Sequence, residues 1–334
     1  MVLHRAEELP PNECVSNKIA LNSDRGSVVP ATGVETENEA ASLVRRVVDL
    51  VGGRIFHRRA PGAQTHEERN YRVILQWLEG GSKAVFVTSF PRSGNTWMRY
   101  LLSDVFLQRA GIATTTALPI KPDRVIPDIY GDSLAAGERE LTHDLYVKTH
   151  ESFDRLKKKI PTVGMEGCRH VYIVRHPEDA LVSFYHYHER EERLRVKVRK
   201  GKDAFCRERL REWQVITRSY VRAAEGGTQV YFVSYENLLA RTERVLGGVL
   251  DWLGVEHEAD MVRQAAANMK FDKMKTEEDK GRMQGAEFNG RGGPGAGEAE
   301  LKAETLTRIR EEARELLERV NGLIEKQEQA KTVV

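Results

Sequence analysis

The stretch Ala84–Phe106 reads AVFVTSFPRSGNTWMRYLLSDVF. It opens on an apolar run, Ala84 to Thr88, of the β-branched and aromatic kind that fills a buried strand of a parallel sheet. A turn follows over Ser89, Phe90, Pro91, Arg92, Ser93 and Gly94. Beyond it Trp97, Met98, Leu101, Leu102, Val105 and Phe106 recur at helical spacing and make one apolar face. Strand, tight loop and helix in that order leave unpaired backbone N–H groups at the positive end of a helix, where a tetrahedral anion binds. Gly94 lets the backbone come close to such an anion. Arg92 brings a fixed charge, and Ser93 and Thr96 bring hydroxyl donors, with Asn95 between them.

The common nucleotide-loop pattern GxxxxGK[ST] is absent. The loop is PRSGNTW, which resembles the 5′-phosphosulfate loop of the sulfotransferases, typically PKSGTTW. The resemblance implies 3′-phosphoadenosine 5′-phosphosulfate (PAPS) as co-substrate. Arg92 departs from the family's Lys; it keeps the charge but is bulkier and cannot lose its proton.

Working outward toward the C-terminus, Leu145–His150 reads as a short strand ending in polar residues, and Cys168–Val174 as another. Arg175-His176-Pro177-Glu178-Asp179 leads from the latter into a helix over about 180–190. A helix folding back over a strand end brings Arg175 and Ser183 to one phosphate. The segment RHPEDALVS resembles the family's 3′-phosphate motif, which has Arg at the strand end and Ser at the same offset. A surface reading would instead pair Arg175 with Glu178 or Asp179 and leave Ser183 solvated. His150 stands in LYVKTHES, and the resemblance implies that it is the catalytic base, with Lys148 beside the sulfuryl group. A histidine suits the task, because its ordinary pKa near ~6.5 lets it take a hydroxyl proton at neutral pH. His186 and His188, on the helix after Arg175, read as surface or pocket-rim residues.

Adenine recognition calls for aromatic faces. Trp97 follows the loop; Tyr235 follows the strand QVYFVS; Phe271 stands in MKFDKMK, which resembles the family's Ser-Phe-x-x-Met-Lys segment. The family's glycine loop, Phe-x-Arg-Lys-Gly-x-x-Gly-x-Trp, is matched by Phe288, Gly292 and Gly295, with Arg291 standing for the Lys. Gly290 stands where Arg is expected and Gly297 where Trp is expected, so one phosphate-binding cation is missing, which implies either weaker cofactor binding or a substitute cation from Lys275 or Lys280. The dimer signature that often follows this loop in the family is absent, and the oligomeric state stays open.

The rest of the chain frames this core. With 334 residues it holds one large domain or two small ones. Residues 1–38 are polar and aperiodic and read as a loosely attached tail; 39–328 form the domain; 329–334 read as a flexible end. Helical spacing appears over 39–51, 71–78, 203–224, 258–268 and 299–327, and the run 189–202 is dense in charge, like a solvated helix or lid. The segment 111–143 reads as a long pocket-lining loop. The fold expected is α/β: a single three-layer domain with a central parallel sheet and a P-loop-like phosphosulfate-binding loop. A formal net charge of +2 makes no demand for nucleic acid. No apolar run approaches the ~20 residues of a membrane span. Cys14, Cys168 and Cys206 lie far apart and fit a reducing, cytoplasmic setting. The membrane-anchored lumenal members of the family fit less well.

These readings imply sulfuryl transfer from PAPS to a hydroxyl or amine of a small-molecule or carbohydrate acceptor. His150, Arg92 and Lys148 carry the chemistry and no metal is required, since side chains supply the cations. The alternatives are a P-loop phosphotransferase using a nucleotide and Mg²⁺, and a non-catalytic nucleotide-binding protein.

Overall fold

Four parallel strands, β1 Ala84–Ser89, β2 Leu145–Thr149, β3 Cys168–Val174 and β4 Val230–Ser234, form a sheet in the order β2-β1-β3-β4. The computed structural model describes residues 65–112, 122–131, 134, 142, 144–160, 165, 167–191, 194–270 and 294–332. Every residue of β1 is buried, as befits the strand with neighbours on both sides. Alternation along the strands feeds two cores. Ala84, Phe86, Val147, His170, Tyr172 and Phe232 face one layer. Helices α1 His66–Glu79, α3 Phe153–Lys159, α4 Pro177–Arg190, α5 Lys202–Glu225 and α10 Ala303–Thr332 contribute to it. Val85, Val87, Tyr146, Val171, Ile173 and Val233 face the other, where α2 Asn95–Arg109, α7 Thr242–Leu253 and α8 Ala259–Asn268 pack. The three-layer α/β/α architecture is therefore present as expected.

Local chemistry explains several element ends. Thr65 and Glu68 form a reciprocal capping box that starts α1 five residues before its first obvious apolar position, Tyr71. Pro177 sits in the first turn of α4, so this helix begins at the proline rather than near Ala180. The helical segment after β4 is two helices, α6 Tyr235–Ala240 and α7, parted at Arg241 with φ −142°. Within the charged run 189–202, the described residues end α4 at Arg190, make a 3₁₀ turn over Arg195–Val198 and open α5 at Lys202. A short helix α9, Ala296–Glu300, precedes α10. The edge strand β4 is closed by a side chain: Phe232 N–H donates to Gln327 Oε1 (2.9 Å) and Gln327 Nε2 donates to the Phe232 carbonyl (3.1 Å). Among the described residues no helix is long and apolar enough to cross a membrane.

Candidate active site

Parallel register brings the carboxyl ends of the strands to one edge. Thr88 pairs with Thr149, Ser89 with Ile173 and Val174 with Ser234. The residues immediately after β2, β3 and β4 are His150, Arg175 and Tyr235. Open α/β sheets bind ligands outside this edge.

The loop after β1 has the geometry of an anion cradle. Gly94 caps α2 in a left-handed conformation (φ 96°, ψ 7°) and, having no side chain, gives that helix end no side-chain cap. A Cβ on Gly94 would lie 2.6 Å from Tyr235 Cδ2, so both conformation and space demand glycine. Arg92 also takes a positive φ, 68°, which a non-glycine residue adopts at a cost of roughly 1–3 kcal/mol. Ser93 Oγ is buried and has no hydrogen-bond partner among the described residues. Leaving a buried hydroxyl unsatisfied costs about 1–3 kcal/mol, and a phosphate oxygen would remove that cost. The residues present thus fit an anionic nucleotide. Asn95 plays a bracing part, donating through Nδ2 to the Val87 carbonyl at 3.0 Å. Thr96 is half-buried in the first turn of α2. Trp97 donates its indole N–H to the Met269 carbonyl (2.7 Å) and meets Tyr235 edge-on at 6.4 Å. It also lines a cleft of about 730 Å³ with Leu239, Thr242, Ala266 and Lys270.

The second motif folds onto the first. Arg175 and Ser183 are 3% and 4% exposed, which excludes the surface reading of both. Arg175 Nη1 donates to the Arg92 carbonyl (3.1 Å), and its guanidinium lies over the Tyr235 ring at 4.5 Å. Arg92 Nε donates to Ser183 Oγ at 3.4 Å. Arg92, Arg175, Ser183 and Tyr235 therefore form one cationic corner ahead of α2. Glu178 and Asp179 work elsewhere. Glu178 pairs with Arg310 at 2.9 Å, and Asp179 accepts the backbone N–H groups of Gly295 (2.9 Å) and Gly297 (2.7 Å). Gly297 sits so close that a Cβ would lie 2.6 Å from the Glu178 side chain, so the family's tryptophan has no room there.

His150 lies at the other end of the loop. Its Nδ1 is 2.8 Å from the Ser89 carbonyl, an oxygen that can only accept. Nδ1 therefore carries the proton, and Nε2 keeps the lone pair that a general base needs. Burial first, and the nearby Lys148 charge second, hold the imidazole well below its ordinary range, against the pull of the Ser89 carbonyl and Asp128. It is neutral at pH 7. Lys148 Nζ bonds Asp128 Oδ2 at 2.5 Å. Sequence reasoning missed Asp128, Ser89 and Asp179; only the tripeptide Ile126-Pro127-Asp128 marks the first, and nothing in its pattern points to Lys148.

His186 and His188 correct the expectation of a surface or rim position: both are buried. His186 Nε2 meets Glu300 at 2.8 Å, and His188 Nδ1 meets the Phe184 carbonyl at 2.9 Å while its ring packs on Phe184 and Phe205. Both tie α4 to its neighbours. Cys168 and Cys206 are buried free thiols. Phe271, Phe288, Gly290, Arg291, Gly292, Lys275 and Lys280, the helical spacing at 39–51, and the tail 1–38 lie outside the described residues.

The family model described as "Sulfotransferase domain" matches residues 82–321. The chain belongs to the sulfotransferase domain family. It is similar to cytosolic sulfotransferase 12 of Arabidopsis thaliana, 25% identical over 217 residues, which is 60% of this chain and 65% of that one. It is also similar to flavonol 3-sulfotransferase of Flaveria bidentis, 24% identical over 57% of this chain and 64% of the relative. The matched parts thus span less than two thirds of these relatives' own lengths. A solved mouse sulfotransferase complexed with PAP, 20% identical, superposes with a TM-score of 0.54 over 75% of this chain and 93% of its own, a likeness of fold.

Proposed function

We propose that this sulfotransferase-family chain moves the sulfuryl group of PAPS to a hydroxyl of a small-molecule acceptor. One observation carries the reading. The Arg92–Ser183–Arg175 corner and His150, with Nε2 available, stand at opposite ends of a single anion loop. When bound, the co-substrate supplies an activated sulfuryl group whose leaving group is a phosphate. Arg175 and Ser183 hold the 3′-phosphate, and their charge-assisted contacts favour nucleotides that carry it. The α2 N-terminus, Ser93 and Arg92 hold the 5′-phosphosulfate end and stabilise the charge that gathers on the departing oxygen. Tyr235 and Trp97 bound the adenine side; the family resemblance assigns Phe271, Phe288, Arg291 and Gly292 to the nucleotide as well, and these lie outside the described residues.

His150 Nε2 takes the acceptor O–H proton as the oxygen forms its bond to sulfur and the sulfur–oxygen bond to the phosphate breaks. The products are the sulfate ester, the 3′,5′-bisphosphate nucleotide (PAP) and a proton. An imidazole held low by burial and Lys148 gains proton affinity when polyanionic phosphates arrive beside it. Lys148 supplies charge at the same end. The flavonol relative supports a hydroxylated small molecule as acceptor, and the Arabidopsis relative named cytosolic supports a cytosolic setting.

Calorimetry with PAP and AMP tests the nucleotide part. PAP should bind more tightly, and Arg175→Ala should erase most of the difference, about 1.5–3 kcal/mol. Equal affinities in the unaltered protein would sink the assignment. Labelled PAPS with a panel of phenols, flavonols and sugars then tests turnover.

A further inference from the structure

Lys148, whose charge acts on His150, does not stand alone at that end of the loop. The segment Pro127–Ile129 runs beside β2, an edge strand of the sheet, and pairs with it through a single bridge. Lys148 N–H donates to the Pro127 carbonyl (2.8 Å), and Ile129 N–H donates to the Lys148 carbonyl (2.9 Å). That pairing sets Asp128 directly opposite Lys148. Both carboxylate oxygens are then engaged: Oδ2 by Lys148 Nζ at 2.5 Å, Oδ1 by the Tyr130 N–H at 3.1 Å.

The segment carrying Asp128 is bolted down from two helices. From α2, Arg99 donates to the Ile126 carbonyl through Nε (2.9 Å) and Nη2 (2.5 Å), and pairs with Asp123 at 2.5 Å. From α1, Asn70 Nδ2 donates to the carbonyls of Ile129 (2.8 Å) and Gly131 (2.7 Å). A carboxylate on so fixed a backbone keeps its place when a ligand arrives, which is what preorganised electrostatics requires. A solvent-exposed pair serving only stability would have no need of it.

We infer that Asp128 is a positioning residue: it holds the Lys148 ammonium at the sulfuryl end of the site and offsets the field of that ammonium at His150. The inference deepens the sulfotransferase reading and rests on it. Lys148 is nearly buried, and burial disfavours its charged form; the Asp128 carboxylate opposes that effect. At His150 the charges of Lys148 and Arg99 oppose protonation, while Asp128 and the Ser89 carbonyl favour it. At Lys148, Arg99 repels and Asp123 attracts. Burial of Asp128 itself would raise its carboxyl pKa, but the charge and hydrogen bond of Lys148 outweigh that and keep it ionised. Asp128 thus keeps a cation charged next to a base without making the base useless.

The test is the pH profile of kcat for Asp128→Asn, Asp128→Glu and Lys148→Met, with Cε1–H titration of His150 by NMR in the PAP-bound protein. Asp128→Asn should move both limbs of the profile to lower pH, each by about 1 pH unit, since both His150 and Lys148 lose a stabilising anion. Asp128→Glu should restore the wild-type limbs in part. Lys148→Met should move the acid limb to higher pH, and it provides the converse test if Asp128→Asn fails to fold by circular dichroism. Limbs and His150 titration unmoved by Asp128→Asn or by Lys148→Met, whatever the loss of rate, would overturn the inference and leave a structural ion pair. The NMR arm needs no turnover. A His150 shift in a protein that sulfates no acceptor would keep the inference and refute the function; turnover with no shift would do the reverse.

Discussion

Two histidines lie in or directly after the strands that flank β1, and their surroundings differ in one respect that matters. His170 lies inside β3, opposite Phe86, and is fully buried. It stacks on Phe86 at 5.3 Å, meets Phe153 edge-on at 5.3 Å, and among the described residues neither ring nitrogen has a hydrogen-bond partner. His150 follows the last residue of β2, and its Nδ1 is fixed by the Ser89 carbonyl. Burial depresses both imidazoles. Only His150 has an assigned tautomer and an anion loop alongside. Position along the strand, relative to the carboxyl edge of the sheet, separates a base from a core filler. Low proton affinity is common to both and separates nothing.

The sharpest way to break this comparison is at His150. His150→Ala should lower kcat by about 10²–10⁴-fold, the usual worth of general base catalysis, while PAP affinity by calorimetry stays within about twofold, since the ring touches the proton and not the phosphates. His150→Asn should be no better, because an amide cannot take the proton. An alanine variant that turns over an accepted substrate at the wild-type rate, with its circular dichroism unchanged, would return His150 to the class of His170.

A smaller effect is expected at the loop between the two. Gly94→Ala forces a left-handed backbone on alanine and a Cβ within 2.6 Å of Tyr235. It should weaken PAP binding at least about tenfold and cost about 1–3 kcal/mol of stability by chemical denaturation. Unchanged binding would mean that the anion sits away from this helix end.

The smallest effect, and the one of opposite sign, belongs to His170. Its folded-state pKa is pushed down by burial, to about 3. An unfolded histidine titrates near ~6.5. Above that pH neither state is protonated and nothing is lost. As pH falls from there toward 3, the unfolded chain takes up a proton that the folded one refuses, and stability drops by up to ~1.4 kcal/mol per pH unit from this group. His170→Leu conserves volume and removes a buried orphan polar group. It should match or raise the melting temperature at pH 7 and flatten the stability profile below pH 6. A variant less stable by more than about 2 kcal/mol, with the acid slope intact, would mean that the ring has a polar role in the core.

Much of the site was legible in single segments. The loop residues Arg92, Ser93 and Gly94 announce an anion cradle through local chemistry alone, and strand-end Arg175 and His150 mark themselves by following apolar runs. Boundaries were harder where the signal lies outside the apolar pattern, as with the Thr65–Glu68 capping box before α1. Buried His186 and His188 were misjudged because a histidine carries no mark of burial; their depth follows from Glu300, Phe184 and Phe205, two of which belong to other helices.

The sequence by itself determined the alternation of strands and helices, the helix-start loop after β1, and the residue types placed at the strand ends. These are properties of periodicity and turn chemistry, which act over a few residues. Tertiary structure decided which of those residues meet. Arg92 reaches Ser183 across 91 positions, His150 finds the Ser89 carbonyl across 61, Lys148 takes Asp128 across 20, and Asp179 secures Gly297 across 118. Strand register and the packing of helices on both sheet faces set these distances, and neither is written in any one segment. Parallel pairing alone puts four strand ends on one edge, and that edge turns scattered polar residues into a site.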